Sequence, residues 1–302
     1  MTVRPPKAVL LLGMGGGGDV VSCVHLSRLF RLMGSRVVLG SVPYERRQVD
    51  PTPGPVSVGD LRGALEVGDR WALAGPGTTA VRGGRVFRPQ AVRLSSVLGE
   101  PIYLVDLYGG PRGVTAALKG IAEREGLDAV VGVDAGGDVL AVGGEEGLVS
   151  PLADQTVLAS LGTLNMDAYV AVHGPGCDGE LDPDYVLSRV FKLGPPVAYW
   201  GITSEDIPLL ERILSVVETE ASRLPLLAAK GIWGEVKIRE GSRSVPLSPV
   251  SALTFLLEAK KVYGESPMAR AISGCADLEC VLNALRKMGV KTEYDLELEG
   301  KS

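Results

Sequence analysis

Four loops of this sequence set carboxylates beside glycines, each directly after an apolar run. In the first, Gly13-Met-Gly-Gly-Gly-Gly-Asp19, the glycines Gly15, Gly16, Gly17 and Gly18 allow close backbone approach to a ligand. Their amides fall where a strand-to-helix turn favours an anion. A tight turn capped by Asp19 is the plainer alternative, although it needs one or two glycines rather than four in succession. No Lys follows in P-loop spacing, and no acidic residue is clearly placed for a ribose, which argues against a nucleotide cofactor. Asp19 would oppose a phosphate unless it caps the helix or holds a metal. Ser22 and His25 follow one and two turns into the helix, where His25, beside Val24 and Leu26, reads as a packed or solvated side chain.

The loop Val133-Asp134-Ala-Gly-Gly-Asp138 carries two carboxylates separated by Gly136 and Gly137, so both can turn back on one point. That suits a divalent cation or an acid/base pair. An Asx-type turn in which each Asp caps backbone amides is the structural alternative. Ser150 and Pro151 supply an N-cap and first-turn pair, and Asp154 then complements a helix dipole or joins the carboxylates. A third loop runs from Asp106 through Gly109 and Gly110, and a fourth is His173-Gly-Pro-Gly176-Cys177-Asp178-Gly-Glu180. Cys177 near His173 invites a thiolate reading, but no third orienting residue can be named. Neither a GxSxG elbow nor an HExxH helix occurs.

The elements that would hold these loops alternate. Nearly all-apolar strands are expected at Ala8 to Met14, Arg36 to Val42, Ile102 to Leu107, Ala129 to Asp134 and Asp167 to His173. Helical spacing marks Val20 to Met33, Val114 to Arg124 and Pro151 to Leu161 between them. The fold class that follows is α/β: a doubly wound, mainly parallel, Rossmann-like sheet, with a helical C-terminal region and a small β hairpin. In such sheets the loops at the strand carboxyl ends converge at a switch point, which would bring together Asp19, Asp106, Asp134, Asp138 and Asp178.

From Tyr44 to Gln90 prolines and glycines indicate a long loop and a β excursion at about 64–88, with Trp71 and the Pro-rich part as a partial lid. Later helices are expected at Tyr185 to Phe191, Ile207 to Glu220, Val250 to Lys261 and Ala276 to Met288. A hairpin is expected at Trp233 to Val245 and a final strand at Thr292 to Leu298. One domain over 1–302 is the partition, with a core to about 175 and a C-terminal region from about 176 packed on it.

A net charge of -5 from 31 basic and 36 acidic residues gives no basic footprint for nucleic acid. The run Ala8 to Met14 is too short to span a bilayer and lacks the flanks of a secretory signal, so the expected location is cytoplasmic, with no membrane partner. Cys23, Cys177, Cys275 and Cys280 show no metal-ligand spacing and read as inert thiols in a reducing compartment. The scarcity of Asn and Gln suits a thermophile or a GC-rich genome. A homo-oligomer is left open.

GGGGDVVSCVHL, LGSVPYERRQVDPTPGP, YLVDLYGG, VGVDAGGDVLA, SPLAD and GPGCDGEL together resemble the family called domain of unknown function 1152, found mostly in archaea and actinobacteria. The resemblance covers most of the chain. It implies that these loops form one site, joined by Glu45, Arg46 and Asp50 from the long second loop. More weakly, the ten residues around Asp134-Ala-Gly-Gly-Asp138 are similar to an Asp-Gly-Gly-Asn segment of the D-glutamate cyclase family, with Asp138 in place of the Asn. That similarity implies metal-assisted proton transfer on a small carboxylate.

The resulting expectation is an enzyme, of lyase or isomerase type, acting on a small carboxylated or phosphorylated metabolite. The glycine loop and Arg46 would hold the anion; Asp134, Asp138 and Asp154 would hold Mg²⁺ or Mn²⁺; Asp134, Asp138 and Asp178 would supply ligand or base. The alternative is a non-catalytic protein that senses a nucleotide or metabolite with the same loops.

Overall fold

The first strand shows why the sheet must be covered on both sides. β1 (Ala8–Gly13) is buried at every position. Leu10 and Leu12 enter one hydrophobic core while Val9 and Leu11 enter another, as the alternation of a pleated strand requires. Each such side chain, fully buried, stabilises the fold by about 1.5–3 kcal/mol. The structure, a computed structural model, describes residues 5–300.

α1 (Ser22–Leu32) and β2 (Arg36–Ser41) complete the first unit. The β excursion supplies β3 (Leu61–Arg62), β4 (Glu66–Gly68), β5 (Trp71–Ala74), β6 (Thr79–Arg82) and β7 (Arg85–Phe87). Then α2 (Gln90–Leu98), β8 (Ile102–Val105), α3 (Gly110–Glu125), β9 (Ala129–Ala135), α4 (Pro151–Thr163) and β10 (Asp167–His173) alternate. The C-terminal part holds α5 (Pro183–Lys192), β11 (Ala198–Gly201), α6 (Ile207–Leu214), α7 (Glu220–Ala229), β12 (Gly234–Ile238), β13 (Arg243–Leu247) and β14 (Leu253–Glu258). α8 (Ala259–Glu265), α9 (Pro267–Ile272), α10 (Leu278–Lys287) and α11 (Glu293–Leu298) follow.

The main sheet has nine strands in the order β11-β14-β10-β9-β1-β2-β8-β5-β4. Its centre, β10 through β8, is parallel throughout. The chain steps outward from β1 to β2 to β8 and then returns to the other side of β1 with β9 and β10. The switch point therefore lies between the carboxyl ends of β1 and β9, where Gly13 is in register with Val133. α1 and α2 cover one face, and α3, α4 and α8 to α10 cover the other. No helix among the described residues is long and apolar enough to cross a membrane.

All five expected core strands form, as do the helices that follow β1, β8 and β9. The excursion splits: β5 and β4 extend the main sheet antiparallel at its far edge, whereas β3, β6 and β7 form a small sheet. Gly83 and Gly84, both at positive φ, make the two-residue turn between β6 and β7. The hairpin at β12–β13 also forms, and α7 packs on it in a small core of Leu224, Ile238, Val245, Leu247 and Cys177.

Five expectations are overturned. Val250 to Lys261 is not one helix but a 3-10 turn, the strand β14 paired antiparallel with β10, and the start of α8; the run Leu253-Thr-Phe-Leu-Leu257 has no polar stripe and suits a buried strand. Thr292 to Leu298 is helical, started by Thr292 in a reciprocal cap with Asp295. The helix from Ile207 stops at Leu214, and Thr219 caps a new one at Glu220. Trp71 is no lid: it is buried in β5 against Tyr103, four strands from β9. Finally, Cys275 and Cys280 are joined in a disulfide, so only Cys23 and Cys177 are free thiols, both buried.

Candidate functional site: an acidic cluster at the switch point

After β1 the chain must turn sharply between β2 and β9. Gly17 N–H donates to the Tyr44 carbonyl at 2.8 Å, and Asp19 N–H to the Gly16 carbonyl at 3.1 Å. Gly15 N–H donates to Asp19 Oδ2 at 3.0 Å. The amides of Gly16 and Gly18 have no hydrogen-bond partner among the described residues. Glycine at 15 is required by contact, because a Cβ there would stand 2.6–2.9 Å from the carboxylate oxygens of Asp154 and Asp19.

At the end of β9 the chain doubles back through Gly136 and Gly137, both at positive φ. Asp134 Oδ1 accepts from Gly137 N–H at 3.3 Å and Oδ2 from Val139 N–H at 3.2 Å, so Asp134 caps backbone amides as the turn alternative expected, whereas Asp138, among the described residues, meets only the Ser150 hydroxyl, at 3.5 Å. Capping does not exhaust the role of Asp134. One carboxylate oxygen each of Asp19, Asp134 and Asp154 lies within 4.8 Å of the others, and all three residues are buried. Asp138, Asp178 and Glu180 form a second group of the same compactness, with Asp178 half-buried and the other two buried. The ligand set expected from sequence is thus redistributed: Asp19 takes the place of Asp138 beside Asp134 and Asp154. The two groups adjoin along one loop, which supplies Asp134 to the first and Asp138 to the second.

The electrostatics follow from this crowding. Burial, then the charge of Asp134, raises the Asp19 carboxyl well above the usual carboxylate range. Burial pushes Asp134 up to about 6 against its backbone hydrogen bonds. Asp138 is raised well above that range by burial and then by the charge of Asp154, and Asp154 by burial and then by the charge of Asp134. Asp178 is raised by burial and then by Glu180. Two oxygens in the cluster, Asp154 Oδ1 and Asp178 Oδ2, are shielded from solvent and accept no hydrogen bond, although Asp154 is only 1% exposed. An oxygen buried without a donor is costly unless a proton or cation reaches it.

Glu180, which the sequence reading left out of the site, completes the second group. Its carboxylate accepts from Val149 N–H, Ser150 N–H and Ser150 Oγ at 2.6–2.9 Å and lies 3.5 Å from Arg239. The signal was present, two residues beyond Asp178 in the same loop. Glu293 was also missed; it accepts from Leu152 and Ala153 N–H at the start of α4, and burial pushes it up to about 8. It lies 139 positions downstream of Asp154, and no local pattern links them.

Other expected residues divide. Arg46 pairs with Glu220 at 3.5 Å and its charge also acts on Asp19, placing it at the rim. Ser22 Oγ meets Ser222 Oγ at 2.9 Å, which ties α1 to α7 beside Gly18. Glu45 lies against Gly17 and accepts from Gln90 N–H at the start of α2; burial pushes it up to about 7. Asp106, Gly109 and Gly110 lie at the end of β8, separated from β9 by two strands. Asp106 is saturated by Val58 and Tyr108 N–H, and Gly110 packs on the backbone of Cys275 and Asp277. Asp50 is paired with Arg82. Gly176, at positive φ, packs on Pro183. Cys177 is enclosed, and burial pushes its thiol up to about 12, which ends the thiolate reading. His173 Nδ1 and His25 Nε2 share the Thr254 hydroxyl at 2.8 and 3.1 Å, and their ring centroids lie 4.5 Å apart with the planes tilted by 39°.

The loops that converge are the ones whose motifs first suggested a family, and the family model matches residues 10–301 of the 302-residue chain. The chain belongs to the family described as protein of unknown function (DUF1152). The match spans every carboxylate of the cluster, so the acidic site lies wholly inside the DUF1152 unit. No curated protein and no solved structure matches the chain.

Proposed function

We propose that this DUF1152 protein is an enzyme in which Asp19, Asp134 and Asp154 hold a divalent cation, Mg²⁺ or Mn²⁺, to act on a small carboxylated or phosphorylated metabolite. The observation that carries the reading is the Asp154 Oδ1 atom, buried without a donor among three carboxylates whose oxygens lie within 4.8 Å of one another. Oxygen-only ligands suit hard cations. The free amides of Gly16 and Gly18 and the Arg46 guanidinium supply donors for the anionic part of a substrate beside the cation. A carbonyl or phosphoryl oxygen on the cation would be polarised there. Asp138, buried within the charge of Asp154 and Asp134, would take or give a proton.

Thermal scans in EDTA, Mg²⁺ and Mn²⁺ test the reading. A cation at about 100 times its Kd adds about 2.7 kcal/mol, hence a rise of several degrees in melting temperature. Asp154→Asn keeps the volume, removes one repelling charge and should abolish that rise without destabilising the EDTA form. Unchanged melting of the wild type in all three conditions would overturn the cation site.

A further inference from the structure

Beside the first group of carboxylates stands a second, Asp138, Asp178 and Glu180, whose oxygens gather as closely. Taking the cation at Asp19, Asp134 and Asp154 as given, we infer that Asp138, Asp178 and Glu180 hold a second divalent cation beside it, making a two-cation centre for an oxyanion that bridges both. This rests on the reading above and extends it.

Three observations support it. The ligand oxygens of Asp138, Asp178 and Glu180 lie within 4.8 Å of one another, the same compactness as the first group. Asp178 Oδ2 is shielded from solvent and accepts no hydrogen bond, while Oδ1 accepts from Glu180 N–H at 3.2 Å, so one oxygen is oriented by the backbone and the other is left without a donor. Gly136, at φ +129°, presses so closely on the Asp178 carboxylate that any Cβ would occupy its place, as Gly15 does for Asp154. Each group thus has one buried, unpartnered oxygen and one glycine that makes room for its carboxylate.

Charge points the same way. The two groups contain six carboxylates, and one divalent ion leaves a formal charge of four unbalanced. The cations that approach from the protein are Arg46, which also pairs with Glu220, Arg239, 3.5 Å from Glu180, and Arg243, whose charge acts on Asp178 and Glu180. A second divalent ion brings the cluster close to balance and leaves both metals able to accept an anionic ligand. Asp134 and Asp138, four residues apart around Gly136 and Gly137, are where the chain joins the two groups. Paired ions in such sites stand about 3.5–4 Å apart and clamp the oxygens of a phosphate or carboxylate group between them.

Mn²⁺ serves as the probe, with calorimetry for stoichiometry and electron paramagnetic resonance for proximity, on the full chain. Two Mn²⁺ per chain with a spin-coupled spectrum are expected, and Asp178→Asn, checked for folding by circular dichroism, should bind one and show the uncoupled spectrum of an isolated ion. One Mn²⁺ per wild-type chain overturns the second site and leaves the first. Two uncoupled ions also overturn the shared centre, and no binding overturns both readings. The wild-type spectrum decides the matter even if the variant does not fold.

Discussion

Gly15 stands between Asp19 and Asp154, and its missing side chain sets how closely three carboxylates can gather. Gly15→Ala should therefore cost about 1–3 kcal/mol through overlap with those carboxylates and remove the stabilisation by Mg²⁺. Gly144 faces open space, and Gly144→Ala should stay within about 0.5 kcal/mol of wild type with its metal response intact. Paired chemical-denaturation curves with and without Mg²⁺ check both; equal behaviour of the two variants would show that Gly15 has no special place. At this scale the sequence was informative where glycine and carboxylate are adjacent. Asp19, Asp134, Asp138 and Asp178 were legible because a strand end with glycines has few other uses, and Asp154 because it follows the Ser150-Pro151 helix start. Glu293 was not legible, because its place at the start of α4 depends on how α11 docks. Asp106 and Cys177 were misleading for the converse reason: the same local signature serves two N–H groups at one and a small apolar core at the other.

Among the elements, α7 with the β12–β13 hairpin is the one that covers the site with little of its own core. A Cβ on Gly18 would meet Thr219 at the start of α7; Glu220 faces Arg46 and accepts from Arg239 N–H, and Arg239 faces Glu180. β12 is largely exposed, in contrast to the fully buried β1 and β9. Hydrogen exchange should be faster across Gly234–Leu247 than in β1 or β9. Glu220→Gln should speed it further by up to about fivefold, the equivalent of about 1 kcal/mol for a half-exposed pair, while leaving β1 and β9 unchanged. Exchange as slow in the hairpin as in β9 would mean that this unit is fixed to the core. Element type was legible at β1 and β9, short apolar runs closed by glycine-rich loops, and at α3, whose helical period is long. It failed at β14, which runs without a break into α8, and at α11, six residues whose alternation was outweighed by the cap at Thr292.

The molecule as a whole carries a pH signature of its buried acids. Carboxyls ionise near 4 in an unfolded chain, whereas burial pushes Asp134 up to about 6, Glu45 to about 7 and Glu293 to about 8. The folded form therefore holds more protons, and its stability falls as pH rises through those values. The histidines act oppositely at lower pH: burial holds His25 down to about 4 and lowers His173, so stability is lost as pH falls below about 6.5. In EDTA, stability should decline from pH 6.5 to 9 by about 1.4 kcal/mol per pH unit for each proton still held. Saturating Mg²⁺ should flatten the decline, and a flat profile in EDTA would contradict the crowding of the acids. The central claim is that a cation belongs among Asp19, Asp134 and Asp154. Crystals grown with Mn²⁺ and measured at a wavelength where manganese scatters anomalously test it most directly. The account predicts an anomalous peak at about 2.1–2.3 Å from one oxygen of each of the three carboxylates; a map with no anomalous peak at this cluster, at Mn²⁺ concentrations that saturate other carboxylate sites, would contradict it.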